Sequence, residues 1–157
     1  MNKKGVTLIE LIVVMVIIAI GAVLMAPNIS AWLPNYRLRS ATRDIVSTMR
    51  TAQMKAVSLN TPHRVSFDIA ANEYLPQIRT TQGSPNDWAP TWTDARIQKL
   101  QQKLPSGVQI TVVNFPGDNA EFNPNSTSSS GSITLLNPKN TVRKITLTSS
   151  TGRIKIE

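Results

Sequence analysis

Met1-Asn2-Lys3-Lys4-Gly5-Val6-Thr7-Leu8-Ile9-Glu10, with the apolar run that continues from Leu11 to Ala26, is the stretch on which the reading of the chain turns. The leader-like start, residues 1–5, is short, basic and closed by Gly5. From Leu8 to Ala26 there are 19 residues and one charge, that of Glu10. As a helix this run is roughly 28 Å long, about one hydrocarbon core. The spacing therefore predicts a transmembrane helix over 8–26. Lys3 and Lys4 hold the short end cytoplasmic and place the rest of the chain outside. Trp32 and Tyr36 follow the run, where aromatic side chains favour a membrane–water interface.

Two ordinary readings stand beside this one: a signal anchor and a cleaved secretory signal. The second wants small residues at −1 and −3 of its cut site. Val23-Leu24-Met25-Ala26-Pro27 fits that poorly. The first leaves Glu10 unexplained. A carboxylate at the centre of a membrane helix costs on the order of 2.5–3.5 kcal/mol, less near an end, so such a residue calls for a function.

Beyond the run the pattern changes. Pro27 and Pro34 are expected to kink or locally break the helix. Leu38, Ala41, Ile45, Met49, Ala52, Ala56 and Leu59 then recur at spacings of three or four, one apolar face of an amphipathic helix over 37–59. Arg37, Arg39, Arg43, Arg50 and Lys55 lie largely off that stripe. They read as a solvated face, or as contacts to lipid heads or neighbouring subunits. Asn60-Thr61-Pro62 closes the helix, because the residue before proline avoids the helical region. A helix over 6–59 would span about 80 Å.

After Pro62 the period becomes two. Val65, Phe67 and Ile69 alternate with polar residues, as do Val108, Ile110 and Val112. Ile133 and Leu135, then Ile145 and Leu147, repeat the pattern. These predict strands with one buried face, roughly seven in all. Ala70-Ala71-Asn72-Glu73 reads as a turn into a strand near Tyr74–Thr80. Asn125–Gly131 is a polar loop. The stretch Gly83–Thr93, with Trp88 and Trp92, lacks a period and reads as a loop. Ala95–Leu104 is expected to form a short helix with Ile97, Leu100 and Leu104 on one side. The fold class is α+β: a long N-terminal helix packed on an antiparallel β-sheet or sandwich domain over 60–157.

Composition narrows the chemistry. Of 157 residues, 17 are Lys or Arg and nine Asp or Glu, a net charge of +8. That balance favours acidic partners such as nucleic acid or anionic lipid. There is no cysteine and one histidine, His63, so disulfides, thiolate metal sites and most histidine catalysis are excluded. His63 reads as a surface or strand-edge residue. No nucleotide loop, zinc-protease motif or nucleophile elbow occurs. Asp87 and Asp94 flank Trp88 and Trp92 but are too few to hold calcium. Neither a cofactor nor an enzymatic activity is expected.

Lys4-Gly5-Val6-Thr7-Leu8-Ile9-Glu10 resembles the class III leader of type IV prepilins and type II secretion pseudopilins. The resemblance implies that a prepilin peptidase cuts between Gly5 and Val6, and that Val6 is then N-methylated. The family's glutamate falls on Glu10, where it is thought to pair with the N-terminal amine of a neighbouring subunit. A buried anion is tolerable when a cation meets it. The family's helix-bending proline falls on Pro27. One departure is Val6, where the family usually has Phe. Phe122-Asn123-Pro124, Ile133-Thr134-Leu135, Arg143-Lys144-Ile145-Thr146-Leu147 and Gly152-Arg153-Ile154-Lys155-Ile156 are similar to the closing pattern of the GspH/FimT minor pilins and pseudopilins. That implies a structural or priming subunit of a pilus-like filament, whose partners are other pilins or pseudopilins. It also implies a single pass through a bacterial inner membrane with the C-terminal domain in the periplasm, then entry into a pilus or pseudopilus.

The C-terminus carries a second expectation. From Asn137 to Glu157 five cations face one anion. Alternation puts Arg153 and Lys155 on one face of a strand and Ile154 and Ile156 on the other. Some FimT-like minor pilins bind DNA through Gly, Arg, any residue and Arg. Gly152, Arg153 and Lys155 occupy those places here, with Lys for the last Arg, which keeps the charge but loses the bidentate fork. With Lys139, Arg143 and Lys144 they are expected to form a basic patch for salt-sensitive phosphate binding, or else a strand edge kept soluble by its cations.

Overall fold

The computed structural model describes residues 5–79, 87–90 and 102–157; for 24–31 and 90 it describes the backbone alone. The chain divides into two units, Met1–Leu33 and Pro34–Glu157. Helix α1 spans Leu8–Ser58 and contributes to both.

In the first unit Thr7 starts α1. Its hydroxyl accepts the Glu10 N–H at 3.4 Å, and its carbonyl accepts the Leu11 N–H at 3.3 Å. Thr7-x-x-Glu10 is thus the sequence of a capping box, with the threonine half of the bonding in place. Helical backbone runs through positions 27 and 34, so neither proline ends the helix. The local break expected there is absent.

In the second unit the stripe of α1 is buried as its spacing required: Leu38, Ala41, Ile45, Met49, Ala52 and Ala56 all lie in the core. Leu59 does not. It follows the last helical residue, and Asn60 takes a left-handed φ of 49°. The Asn60 N–H donates to Val57 and the Thr61 N–H to Ala56, the two reversed bonds of a Schellman stop. Val46, Thr42 and Thr48 are also buried, a wider face than one sheet would cover. The Thr42 hydroxyl is satisfied at the Leu38 carbonyl, 2.7 Å away.

Two antiparallel sheets complete this unit. The first has the order β3-β2-β1-β6, with β4 also on β2. Its strands are β1 (His63–Asp68), β2 (Glu73–Arg79), β3 (Trp88–Pro90), β4 (Gln102–Lys103) and β6 (Asn119–Phe122). The second has the order β5-β7-β8-β9, from β5 (Gln109–Val113), β7 (Gly131–Leu136), β8 (Val142–Thr148) and β9 (Arg153–Ile156). Val65, Phe67, Ala120 and Phe122 from the first sheet join Ile110, Ile133, Leu135, Ile145 and Leu147 from the second and the stripe of α1 in one core cluster.

Several local expectations are corrected. β1 ends at Asp68, whose carboxylate accepts the Ala71 N–H. This caps the turn and leaves Ile69 exposed. Trp88–Pro90 is a strand rather than a loop. Arg64 and Arg79 lie over the Trp88 ring at 4.3 and 5.1 Å, a cation–π contact that fastens β3 to the sheet. Gln102 and Lys103 form strand β4, so the short helix expected up to Leu104 does not extend there; 95–101, with Ile97 and Leu100, lie outside the described residues. Thr80 does too. Val112 is half-exposed, because a bulge between Ile110 and Val112 inserts one residue and reverses the alternation.

His63 is neither a surface nor an edge residue. It is fully buried in β1, paired to Ile78 on one side and Phe122 on the other. Its Nδ1–H donates to the Thr61 carbonyl at 2.7 Å, which leaves Nε2 as the neutral ring's acceptor, without a partner among the described residues. Burial lowers its pKa. The Thr61 bond opposes that and the charge of Lys55 adds to it.

Candidate functional site

Two places carry the residues that the sequence singles out. The first is the start of α1. Gly5 and Val6 precede the Thr7 cap, and Glu10 sits in the first turn. A carboxylate there favours the helix dipole. Every large apolar side chain from Leu8 to Val23 is at least half-exposed within the chain. A helix apolar all round needs a hydrophobic medium or other helices to cover it. Among the described residues no helix is long and apolar enough to cross a membrane. The side chains of 24–26, at the end of the expected span, and that of Pro27 lie outside the described residues.

The second place is the open end of the second sheet. Gly152 has a φ of 58°, conformational freedom that the turn from β8 into β9 uses. A Cβ here would also meet the Gln53 side chain and lie 3.2 Å from the Ser126 carbonyl oxygen. The register sets Thr148 opposite Arg153, Thr146 opposite Lys155 and Ile145 opposite Ile156. Arg153, Lys155 and Lys144 therefore share the outer face of the sheet. Glu157 stands on it as well, bonded to Lys155 at 2.8 Å. That bond, then the charges of Lys155 and Lys144, holds its carboxyl below the usual range.

Arg143 is on the other face, in line with buried Ile145 and Leu147. It lines a recess with Arg39, Thr42, Arg43 and Ile156. Lys139 lies in the β7–β8 turn, at the far end of β8 from Arg153. The five cations grouped by sequence are thus divided, three on the outer face with a carboxylate among them.

The pattern of the prokaryotic N-terminal methylation motif matches residues 1–26. That of the type II transport protein GspH matches residues 41–152. The chain belongs to the GspH family. No curated protein is similar enough in sequence to match. Among solved structures, the minor pseudopilin EpsH from the type 2 secretion system of Vibrio cholerae aligns at 10% identity with a TM-score of 0.63. The alignment covers 77% of this chain and 96% of that one. The solution structure of E. coli GspH aligns at 12% identity and a TM-score of 0.61, over 78% and 89% of the two chains. At such identities the likeness establishes the fold.

Membership in the GspH family identifies the chain as a minor pilin or pseudopilin, a structural subunit that assembles with others in a filament and is anchored at a membrane. The α+β architecture read from the sequence is that of its structural neighbours. Arg39, Arg43 and Arg50, read from the sequence as cations off the apolar stripe, form one flank of α1 beside Ile156 of β9. Their spacing of four and seven residues was the available signal. It shows which cations share a helix flank, but not that a strand lies next to them.

Proposed function

We propose that this GspH-family chain is a minor pseudopilin of a type II secretion filament, made as a prepilin. In this reading a prepilin peptidase cuts between Gly5 and Val6, and Val6 is N-methylated. The helix spans the inner membrane once, with the C-terminal domain in the periplasm. The observation that carries the reading is a Thr7-capped helix with one carboxylate, Glu10, in its first turn and a bare apolar surface beyond.

The chemistry follows from that arrangement. Cleavage at Gly5 creates a cationic amine at Val6. Glu10 of one subunit meets the amine of its neighbour, and each charge offsets the other's desolvation. The apolar sides of the two helices then cover one another. Pro27 provides a bend between the buried and the peripheral part of the helix.

Intact mass of the protein from cells with and without the peptidase tests the first step. Loss of Met1–Gly5 and gain of one methyl are expected; a chain still beginning at Met1 in the presence of the peptidase overturns it. Glu10→Ala is expected to be inserted and cut normally but to enter filaments poorly. Full incorporation of that variant removes the docking role.

A second reading is DNA binding during uptake. Arg153, Lys155 and Lys144 on one outer face favour it. Duplex DNA binding by the full chain in detergent should then fall with salt. The Arg153→Ala/Lys155→Ala variant should flatten the slope by about two, roughly 0.9 for each phosphate that is no longer neutralised. Absence of binding at low salt excludes this reading and leaves the filament subunit.

A further inference from the structure

β9 is the last strand of its sheet, and among the described residues no strand pairs with its outer edge. Lys144 and Glu157 exchange both backbone hydrogen bonds, at 3.0 and 2.8 Å. In an antiparallel ladder such bonded pairs alternate with non-bonded ones. Lys155 therefore faces β8, while the N–H and C=O groups of Ile154 and Ile156 point away from the sheet. They offer the pattern that a further strand would use.

Beside this edge lies a groove of about 360 Å³ between α1 and Ile156, lined by Arg43, Val46, Ser47, Arg50 and Met54. It leads into the recess that holds Arg39 and Arg143, with Arg43 and Ile156 common to both. Among the described residues none of these four arginines has a carboxylate in an ion pair. Val46, Met54 and Ile156 make the floor apolar. Met54 is well exposed and Ile156 partly so.

We propose that the edge of β9 and this groove receive, by strand addition, an extended segment of another polypeptide in which acidic and apolar residues alternate with polar ones. The backbone would pair with Ile154 and Ile156. Every second side chain would point, like Ile156, toward α1, where an apolar group meets Val46 and Met54 and a carboxylate meets Arg43 or Arg50. Main-chain bonds supply the affinity in such complexes and alternate side chains the selectivity.

The charge pattern selects this occupant. A second copy of the chain carries a net charge of +8, and pairing β9 with β9 would bring Arg153 and Lys155 against their own kind, which like-charge repulsion disfavours. A nucleic-acid duplex offers no peptide N–H and C=O groups to the strand edge and has no use for the apolar floor beside it. The outer-face cations also guard the edge against neutral strands. This contact is separate from docking through Glu10 and does not depend on which filament the chain joins.

The probe is an acetylated peptide of repeating Glu-Ser-Val-Ser, which sets glutamate and valine on one face of a strand, titrated onto the full chain in detergent micelles. Hydrogen exchange is read residue by residue. The amides of Ile154 and Ile156 should slow several-fold. That of Glu157, already bonded to β8, should not change. Arg43→Glu/Arg50→Glu should weaken binding at least about tenfold, and Arg43→Lys/Arg50→Lys should retain most of it. Ile156→Pro removes one edge donor while leaving the β8 ladder intact, and should abolish protection at Ile154. Three outcomes overturn the proposal: no slowing at Ile154 and Ile156, equal binding of the same peptide with lysine in place of glutamate, or displacement of the peptide by a DNA duplex that also fails on Arg43→Glu/Arg50→Glu.

Discussion

His63 and Asn137 show what single residues contribute. A buried neutral imidazole binds a proton less readily than one in the unfolded chain, and burial is the main cause at His63. The unfolded state therefore takes up the proton first as pH falls. Stability should be level above about pH 6.5, the ordinary histidine value. It should decline below that and flatten once the folded ring protonates. Thermal melts in detergent from pH 8 to pH 5 will show this, and His63→Phe should remove the dependence. Asn137 is 2% exposed and bonds through both ends of its carboxamide. Its Oδ1 accepts the N–H groups of Lys139 and Thr141, both at 2.9 Å, and its Nδ2 donates to Asn35 Oδ1 at 2.7 Å. Asn137→Leu should cost about 1–3 kcal/mol through the orphaned donors, read as a lower denaturant midpoint. Neither role was legible in the sequence. A lone histidine after a proline and an asparagine in a polar turn look the same whether buried or exposed. What buries His63 is a second neighbour strand, β6, more than fifty residues away in the chain.

At the scale of elements, the helix stripe was legible because its period is local. Ala41, Ala52 and Ala56 carry a further message: small side chains let the sheets approach α1 closely. Ala52→Leu should overpack the core and lower stability by about 1–3 kcal/mol, measured by denaturant unfolding, whereas Met54→Leu on the exposed flank should be nearly neutral. The strands with clean alternation, β7 and β8, were equally legible. Those that went unread had physical reasons. β4 has two residues and β3 three, too short for a period to register. The half of β5 past its bulge reverses its own pattern. Leu59 matched the helical spacing but lies between the last helical residue and the asparagine stop, which spacing alone does not reveal.

At the scale of the molecule, the prepilin signature was legible because it is contiguous, seven residues from Lys4 to Glu10. The order of strands in the sheets was not, since every strand offers the same alternation and nothing local names its partner. The same holds for the arginine groove, which joins residues 39–54 to residue 156. Among the described residues every member of the apolar core lies in Pro34–Glu157, and the exposed apolar run of Leu8–Val23 lies in the other unit. A fragment beginning at Pro34 should therefore unfold cooperatively in detergent-free buffer. The full chain should aggregate without detergent. Calorimetry of the fragment and light scattering of both check the two statements.

The strand order has a consequence for the time course of folding. β1–β2, β7–β8 and β8–β9 are hairpins between neighbours in the chain, which close in about 1–10 μs. β1 with β6 and β5 with β7 join distant segments and must wait for larger loops to close. Until they do, Ile45, Met49 and their neighbours on α1 have no cover. A nascent subunit on its way out thus exposes a second sticky surface besides its anchor, for as long as its slowest strand pairing takes. Lesions in β6 would prolong that interval, and those in β9, which pairs only with its neighbour in the chain, would leave it nearly unchanged.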